Sequence, residues 1–313
     1  MTELDHIPVL ASEVIELIVT DRSGRYLDGT CGLGGHAALI LNELSEDGRL
    51  ICLDRDVNML QVAENRLRDF SGRVDFHSAS YDEADTIPGL DPGTIAGILL
   101  DLGICSAQLD DDSRGFSFRF EAPLDMRFDQ NSATTARDYL NNVSQEDLSA
   151  VFRDYGDFRN HKQLAARVIR RRGECPLLTV GDVVACVEDL FPKGRINKYT
   201  ARLLQCVRIA VNDELQRLDR ALPMLVGLLR PGGRLGVISY HSQEDRRVKR
   251  FIRQSSRDSG LPPEIEVCMK GKSTDRTLSS VTRKAVKAAA DEVRRNPRAR
   301  SARLRVAEKL SAT

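Results

Sequence analysis

At 313 residues and 41% apolar content, the chain is long enough for one large or two modest domains, because single cores tend to stop growing near ~250 residues. Its 46 basic and 46 acidic side chains cancel, which excludes the net-charge excess of a disordered chain. The longest apolar runs, such as Ile95 to Leu100, fall short of the ~20 residues of a membrane-spanning helix. Met1-Thr-Glu-Leu-Asp5 also lacks a basic start followed by an apolar stretch, so a soluble cytoplasmic protein is expected.

The zero net charge conceals a polarised chain. Residues 1–130 hold 10 Arg, no Lys and 25 acidic residues, or −15, so the remainder carries 36 basic against 21 acidic residues, or +15. The excess is densest from Lys270 to Lys309, with 13 Lys plus Arg against 4 acidic residues. That tail reads either as a solvated charged segment or as a contact for nucleic-acid phosphates. Seven cysteines (Cys31, Cys52, Cys105, Cys175, Cys186, Cys206 and Cys268) form no C-x-x-C pair, so neither a disulfide framework nor a zinc site is expected. They read as small core residues in a reducing compartment.

Ser12 is expected to cap a helix over 13–19. Arg25-Tyr-Leu-Asp28 then reads as a strand, 35–44 as a helix, Leu50 to Asp54 as a strand after the turn Glu46-Asp47-Gly48, and 56–70 as a helix. Val74 to His77 and Ile95 to Asp101 follow as strands, and this alternation predicts an α/β fold with a parallel, doubly wound sheet. The next strand, Arg234 to Tyr240, is announced by the turn Pro231-Gly232-Gly233. The 132 intervening residues far exceed the ~30 of an ordinary crossover. The excess looks helical: Ser132 or Thr134 opens one helix, Ser144-Gln-Glu-Asp147 opens another, and apolar periodicity runs through 164–169, 180–190 and 203–229. The expected domains are 1–110 with 207–313, and a helical insertion over 111–206.

Asp28-Gly-Thr-Cys-Gly32-Leu-Gly34-Gly35-His36 follows the first strand, where open α/β sheets bind ligands and glycines permit close backbone approach. Gly32-x-Gly34-x-x-Ala37 also satisfies a dinucleotide fingerprint, and Asp54 suits a ribose in either case. Position separates the readings. A dinucleotide fingerprint starts directly after the strand and faces an anionic pyrophosphate. Here Asp28 ends the strand, and its carboxylate suits the ammonium and sulfonium of S-adenosylmethionine. Asp28 also fits a capping or turn role. Asp101-Leu-Gly103 ends the fourth strand with a carboxylate that either binds this donor or supports an amine being methylated, and which as plain structure caps the next segment.

Together these residues resemble the MraW (RsmH) family of ribosomal RNA small subunit methyltransferases. The resemblance runs in order through His6 to Leu10, Asp28 to His36, Leu53-Asp-Arg-Asp56, Leu99 to Gly103, Ala107-Gln-Leu-Asp110, Arg114-Gly-Phe-Ser-Phe118 and Pro123-Leu-Asp-Met-Arg127. It continues through Arg208 to Leu215, Pro231 to Leu235, His241-Ser242 with Glu244-Asp-Arg246, and Asn296-Pro-Arg-Ala-Arg-Ser301. It implies a Rossmann-like S-adenosylmethionine domain with an inserted helical substrate domain, and methylation of the exocyclic N4 of a cytidine in the decoding region of small-subunit rRNA.

By motif, the resemblance implies that Gly34, Gly35 and His36 line the donor, Asp54 holds its ribose, and Asp101 and Gln108 complete the pocket. An aromatic contacting adenine has its nearest match in Tyr81, with Ser80 at the ungapped position. Asp101 is the expected catalytic carboxylate, His36 is assigned to binding, and Asp125, Arg127, Arg202 and His241 are candidates for substrate positioning. Phe116, Phe118 and Phe128 are candidates to stack on the target base. The implied partner is rRNA or an assembled 30S subunit, without a membrane; a homodimer is also admitted.

The chain departs from the family at Ile104-Cys105-Ser106-Ala107, at Tyr199-Thr200-Ala201-Arg202, and at Tyr240 and Gln243, where Phe and Leu are usual. Alternatives are a paralogue methylating another RNA or DNA amino group, a non-catalytic RNA-binding assembly factor, and an NAD-dependent oxidoreductase.

Overall fold

The computed structural model describes residues 8–117, 121–256 and 276–311. The chain divides into two compact units, 1–103 with 216–313, and 104–215.

The first unit is built on a seven-stranded sheet in the order β3-β2-β1-β4-β5-β7-β6. Its strands are β1 (Arg25–Asp28), β2 (Arg49–Asp54), β3 (Val74–Ser78), β4 (Ile95–Asp101), β5 (Leu229–Ser239), β6 (Leu278–Ser280) and β7 (Arg303–Lys309). The first five are parallel, while β7 lies antiparallel to both β5 and β6. This is a Rossmann-like sheet extended by an antiparallel edge.

Alternation along each strand feeds two cores. Leu27, Ile51, Leu53, Ile98 and Leu100 pack on one face with Leu218, Leu222 and Leu225 of the helix Glu214–Leu228. Tyr26, Leu50, Cys52, Ala96 and Leu99 face the other way, against Val14 and Ile18 of α1 (Ala11–Ile18), Ala37 and Ile40 of α2 (Gly35–Glu43), and Leu60 and Ala63 of α3 (Val57–Arg66). Burial on both faces explains why β4 reads as an unbroken apolar run. By the same alternation Asp28, Asp54 and Asp101 share the face of α1 to α3, each at the carboxyl end of its strand.

The second unit packs short helices around Leu140, Leu148, Phe152, Leu164, Val168, Val183 and Leu203. Its longer members are Gln145–Asp154, His161–Glu174 and Ile196–Asn212.

Several sequence expectations are corrected. Helix α1 starts at Ala11, so Ser12 lies inside it, and the left-handed Leu10 precedes it with its N–H donated to Glu292. The helix predicted over 56–70 ends at Arg66, with a 3-10 turn Arg68–Phe70 beyond. Thr135, not Ser132 or Thr134, caps Ala136–Asn142 by accepting the Asp138 N–H. The periodicity over 203–229 belongs to two helices broken at Asp213, whose φ of 52° ends the first. Pro231-Gly232-Gly233 lies within β5, as an irregularity that sets Leu229 opposite Ile95 and Arg234 opposite Gly97. Cys175 is exposed, whereas Cys31, Cys52, Cys186 and Cys206 are buried. His6, Phe118, Cys268 and Lys270 to Asp275 lie outside the described residues.

The basic tail is the largest correction. Its end is β7, where Arg303 and Arg305 bind the buried Asp245 at 3.0 and 2.7 Å, and Glu308 pairs with Arg234 at 3.0 Å. Burial raises the proton affinity of the Asp245 carboxyl, but the Arg305 and Arg303 contacts outweigh it and hold its pKa below the ordinary value. Part of a charge run that read either as a solvated segment or as phosphate contacts thus anchors the sheet edge.

Candidate active site

The loop after β1 is threaded between its neighbours: Gly29 N–H donates to the Leu99 carbonyl and Cys31 N–H to the Leu53 carbonyl, both at 2.9 Å. A side chain at Gly29 would meet Leu100 at 2.6 Å, so only glycine lets the loop lie this close to β4. Gly34 starts α2 from φ 76°, in the left-handed region that glycine enters without steric cost.

Three carboxylates converge on this edge by different means. Asp28 is 1% exposed; its Oδ1 accepts the Thr30 N–H at 3.1 Å, while its Oδ2 is buried and has no hydrogen-bond partner among the described residues. Burial raises its pKa to about 7, with nearby His36 opposing and Asp101 and Asp54 adding to the rise. Asp54 accepts N–H donors from Gly32 at 2.7 Å and Asp56 at 2.9 Å, and burial raises its pKa. Asp101 donates its backbone N–H to Thr30 Oγ1 at 2.6 Å and accepts the Tyr240 hydroxyl at 2.8 Å. Burial raises its pKa too, and the charge of His36 is the leading opposition.

His36 is buried, with Nε2 at 2.9 Å from the Val9 carbonyl. A carbonyl only accepts, so Nε2 carries a hydrogen, while Nδ1 faces Asp101 Oδ2 at 3.5 Å. Tyr81 is buried at the start of the 3-10 turn Tyr81–Thr86, and its Cβ would lie 3.1 Å from a side chain at Gly29, beside the loop.

The remaining candidates are placed differently. His241 is the N-cap of α4 (Ser242–Ser255): its Nδ1 accepts the Glu244 N–H and its Nε2 lies 3.0 Å from Glu244. In the second unit, Arg127 grips Asp125 through two contacts of 2.9 and 2.7 Å and donates to the Gln130 and Ser132 carbonyls. Arg202 lies over the Phe158 and Tyr199 rings at 4.2 and 5.0 Å. Gln108 is buried and accepts the Cys105 N–H at 3.1 Å. Phe116 and Phe128 stack on each other at 5.4 Å, and Arg114 ties their loop to the Arg127 and Phe128 carbonyls.

Sequence reasoning missed Tyr240 and Thr30 as the direct partners of Asp101. The available signal for Tyr240 was position, since it follows β5, the neighbour that pairs Ile238 with Asp101.

An orphan carboxylate oxygen on Asp28 and raised carboxyl pKa values fit a ligand that brings cationic and hydrogen-bond-donating groups, as S-adenosylmethionine does. Three carboxylates clustered at one edge disfavour a pyrophosphate, which counts against the dinucleotide reading. A Rossmann-like sheet with this edge belongs to an S-adenosylmethionine-dependent methyltransferase. The MraW methylase family matches residues 3–310, and the chain belongs to that family. It is 42% identical to the ribosomal RNA small subunit methyltransferase H of Symbiobacterium thermophilum over 311 residues, 98% of this chain and 97% of that protein. It is 41% identical to the protein of the same name from Trichlorobacter lovleyi, over 99% of this chain and all of the relative.

Proposed function

We propose that this protein methylates small-subunit ribosomal RNA in the cytoplasm, at the exocyclic N4 of a cytidine in the decoding region. The observation that carries this reading is likeness over the whole chain to relatives named for that RNA, joined to an intact carboxylate edge. In it, the loop at Gly34, Gly35 and His36 lines the donor, with Asp54 toward its ribose, Tyr81 toward its adenine and Asp28 toward its cationic groups. The unit 104–215 recognises the RNA, with Asp125, Arg127 and Arg202 positioning it.

S-adenosylmethionine supplies, when bound, an electrophilic methyl group on a sulfonium. The chain must do the rest. Cytosine N4 is a weak nucleophile because its lone pair is delocalised into the ring, so alignment and charge stabilisation carry the acceleration. Asp101 is held by Tyr240 and Thr30 in a fixed orientation, and its carboxylate stabilises positive charge growing on the amine. A strong base is not needed, since the proton can leave after transfer.

The test is transfer of radiolabelled methyl to 30S subunits from a strain lacking the protein, followed by nuclease digestion and nucleoside analysis. Labelled N4-methylcytidine is expected, falling at least a hundredfold with Asp101→Ala, the loss of about 2.7 kcal/mol typical of a removed electrostatic group. Absence of label with donor binding intact by calorimetry would sink the rRNA assignment.

A further inference from the structure

Beyond Asp101, along the same carboxyl edge of the sheet, lies a pocket of opposite charge. We infer that the cavity between the start of α4 and the tail is a phosphate-binding subsite for the RNA backbone; this rests on the rRNA reading above. The cavity measures about 210 Å³ and is lined by Tyr240, His241, Ser242, Lys287, Arg300, Ser301 and Arg303.

Three observations carry it. First, the lining includes Lys287, Arg300, Arg303, Ser242 and Ser301, but no Asp or Glu. The acids nearest in sequence are engaged: Glu244 accepts the Tyr240 and His241 N–H groups, and Asp245 is held by Arg303 and Arg305. Second, Lys287 and Arg300 are exposed and make no hydrogen bond or ion pair among the described residues, so their charge is uncommitted. Third, Tyr240 is shared. Tyr240 lines this cavity and its hydroxyl reaches Asp101, so the subsite adjoins the proposed reacting centre.

The edge is therefore divided by charge, with Asp28, Asp54 and Asp101 at the ends of β1, β2 and β4, and cations at the β5 and β7 end. S-adenosylmethionine contains no phosphate. A phosphate subsite there serves the other substrate, by gripping a phosphodiester close to the target nucleotide and fixing the strand while the base meets Asp101. The segment Asn296 to Ser301, which the donor site leaves unused, thereby acquires a function: its 3-10 turn Pro297–Ser301 presents Arg300 and Ser301 to the pocket.

The experiment compares the 313-residue chain with Lys287→Ala/Arg300→Ala, whose side chains make no hydrogen bond or ion pair among the described residues. RNA affinity is measured on a decoding-region oligonucleotide across a salt series, donor affinity by calorimetry, and competition with inorganic phosphate. The double variant is expected to bind RNA about tenfold more weakly, with a salt slope shallower by roughly 1.4, two contacts at ~0.7 each, and unchanged donor affinity. Millimolar phosphate should compete with RNA on the wild type more strongly than on the variant. Unchanged RNA affinity and slope would overturn the subsite, as would a loss of donor affinity, which would assign the pocket to the donor's own carboxylate. If the wild type methylates no RNA, the functional reading fails; if it methylates and the variant binds RNA equally well, only the subsite fails.

Discussion

The Tyr240 hydroxyl donates to Asp101 Oδ1 at 2.8 Å, joining the end of β5 to the carboxylate that ends β4. The phenol is buried and its pKa stands well above the ordinary value, chiefly through burial and then through the charge of Asp101, so it stays a donor. The bond favours the ionised form of Asp101 against the burial that raises its pKa. In Tyr240→Phe the Asp101 pKa should rise further, so the acidic limb of the methyl-transfer rate moves to higher pH. Donor affinity should stay within about twofold. A pH–rate profile in single turnover measures this, and a profile superimposable on the wild type would remove Tyr240 from the control of Asp101.

Asp28 makes stability depend on pH. Its folded pKa of about 7 exceeds the ordinary 3.8, so between those values the folded chain binds more protons than the unfolded chain. Stability without ligand therefore falls as pH rises from about 4 to 7, by an order-of-magnitude ~4 kcal/mol at ~1.4 kcal/mol per unit. Asp28→Asn should flatten this slope in urea titrations. A cationic donor binding beside Asp28 should release a proton near neutral pH, which calorimetry in buffers of different ionisation enthalpy would detect; proton uptake would contradict the assignment.

Arg208 and Glu214 form a buried two-point ion pair at 2.8 and 2.9 Å within the helical unit. Removing one partner leaves the other charge buried and uncompensated, which costs about 3–5 kcal/mol. Glu214→Gln should lower the urea midpoint accordingly, whereas Arg208→Met/Glu214→Leu should recover much of the loss. Equal stability of the single variant and the wild type would show that the pair is not a net tie.

The parallel strands and the loop at Gly34 were legible in the sequence because their cause is local. A strand buried on both faces is an apolar run, and a loop that must turn tightly beside β4 needs glycine. Asp28, Asp54 and Asp101 were legible as strand-end carboxylates for the same reason. The ordered motifs also carried the family.

What the tertiary structure alone decided is the partner of each charge. Arg127 and His241 read as candidates for substrate positioning and Arg303 and Arg305 as part of a basic tail, yet each lies against a carboxylate. Tyr240 and Asp101, 139 positions apart, meet because their strands are neighbours. Local spacing sets periodicity and turn chemistry, but whether a side chain is spent on the fold or left for a ligand depends on which distant group folding brings within hydrogen-bond reach.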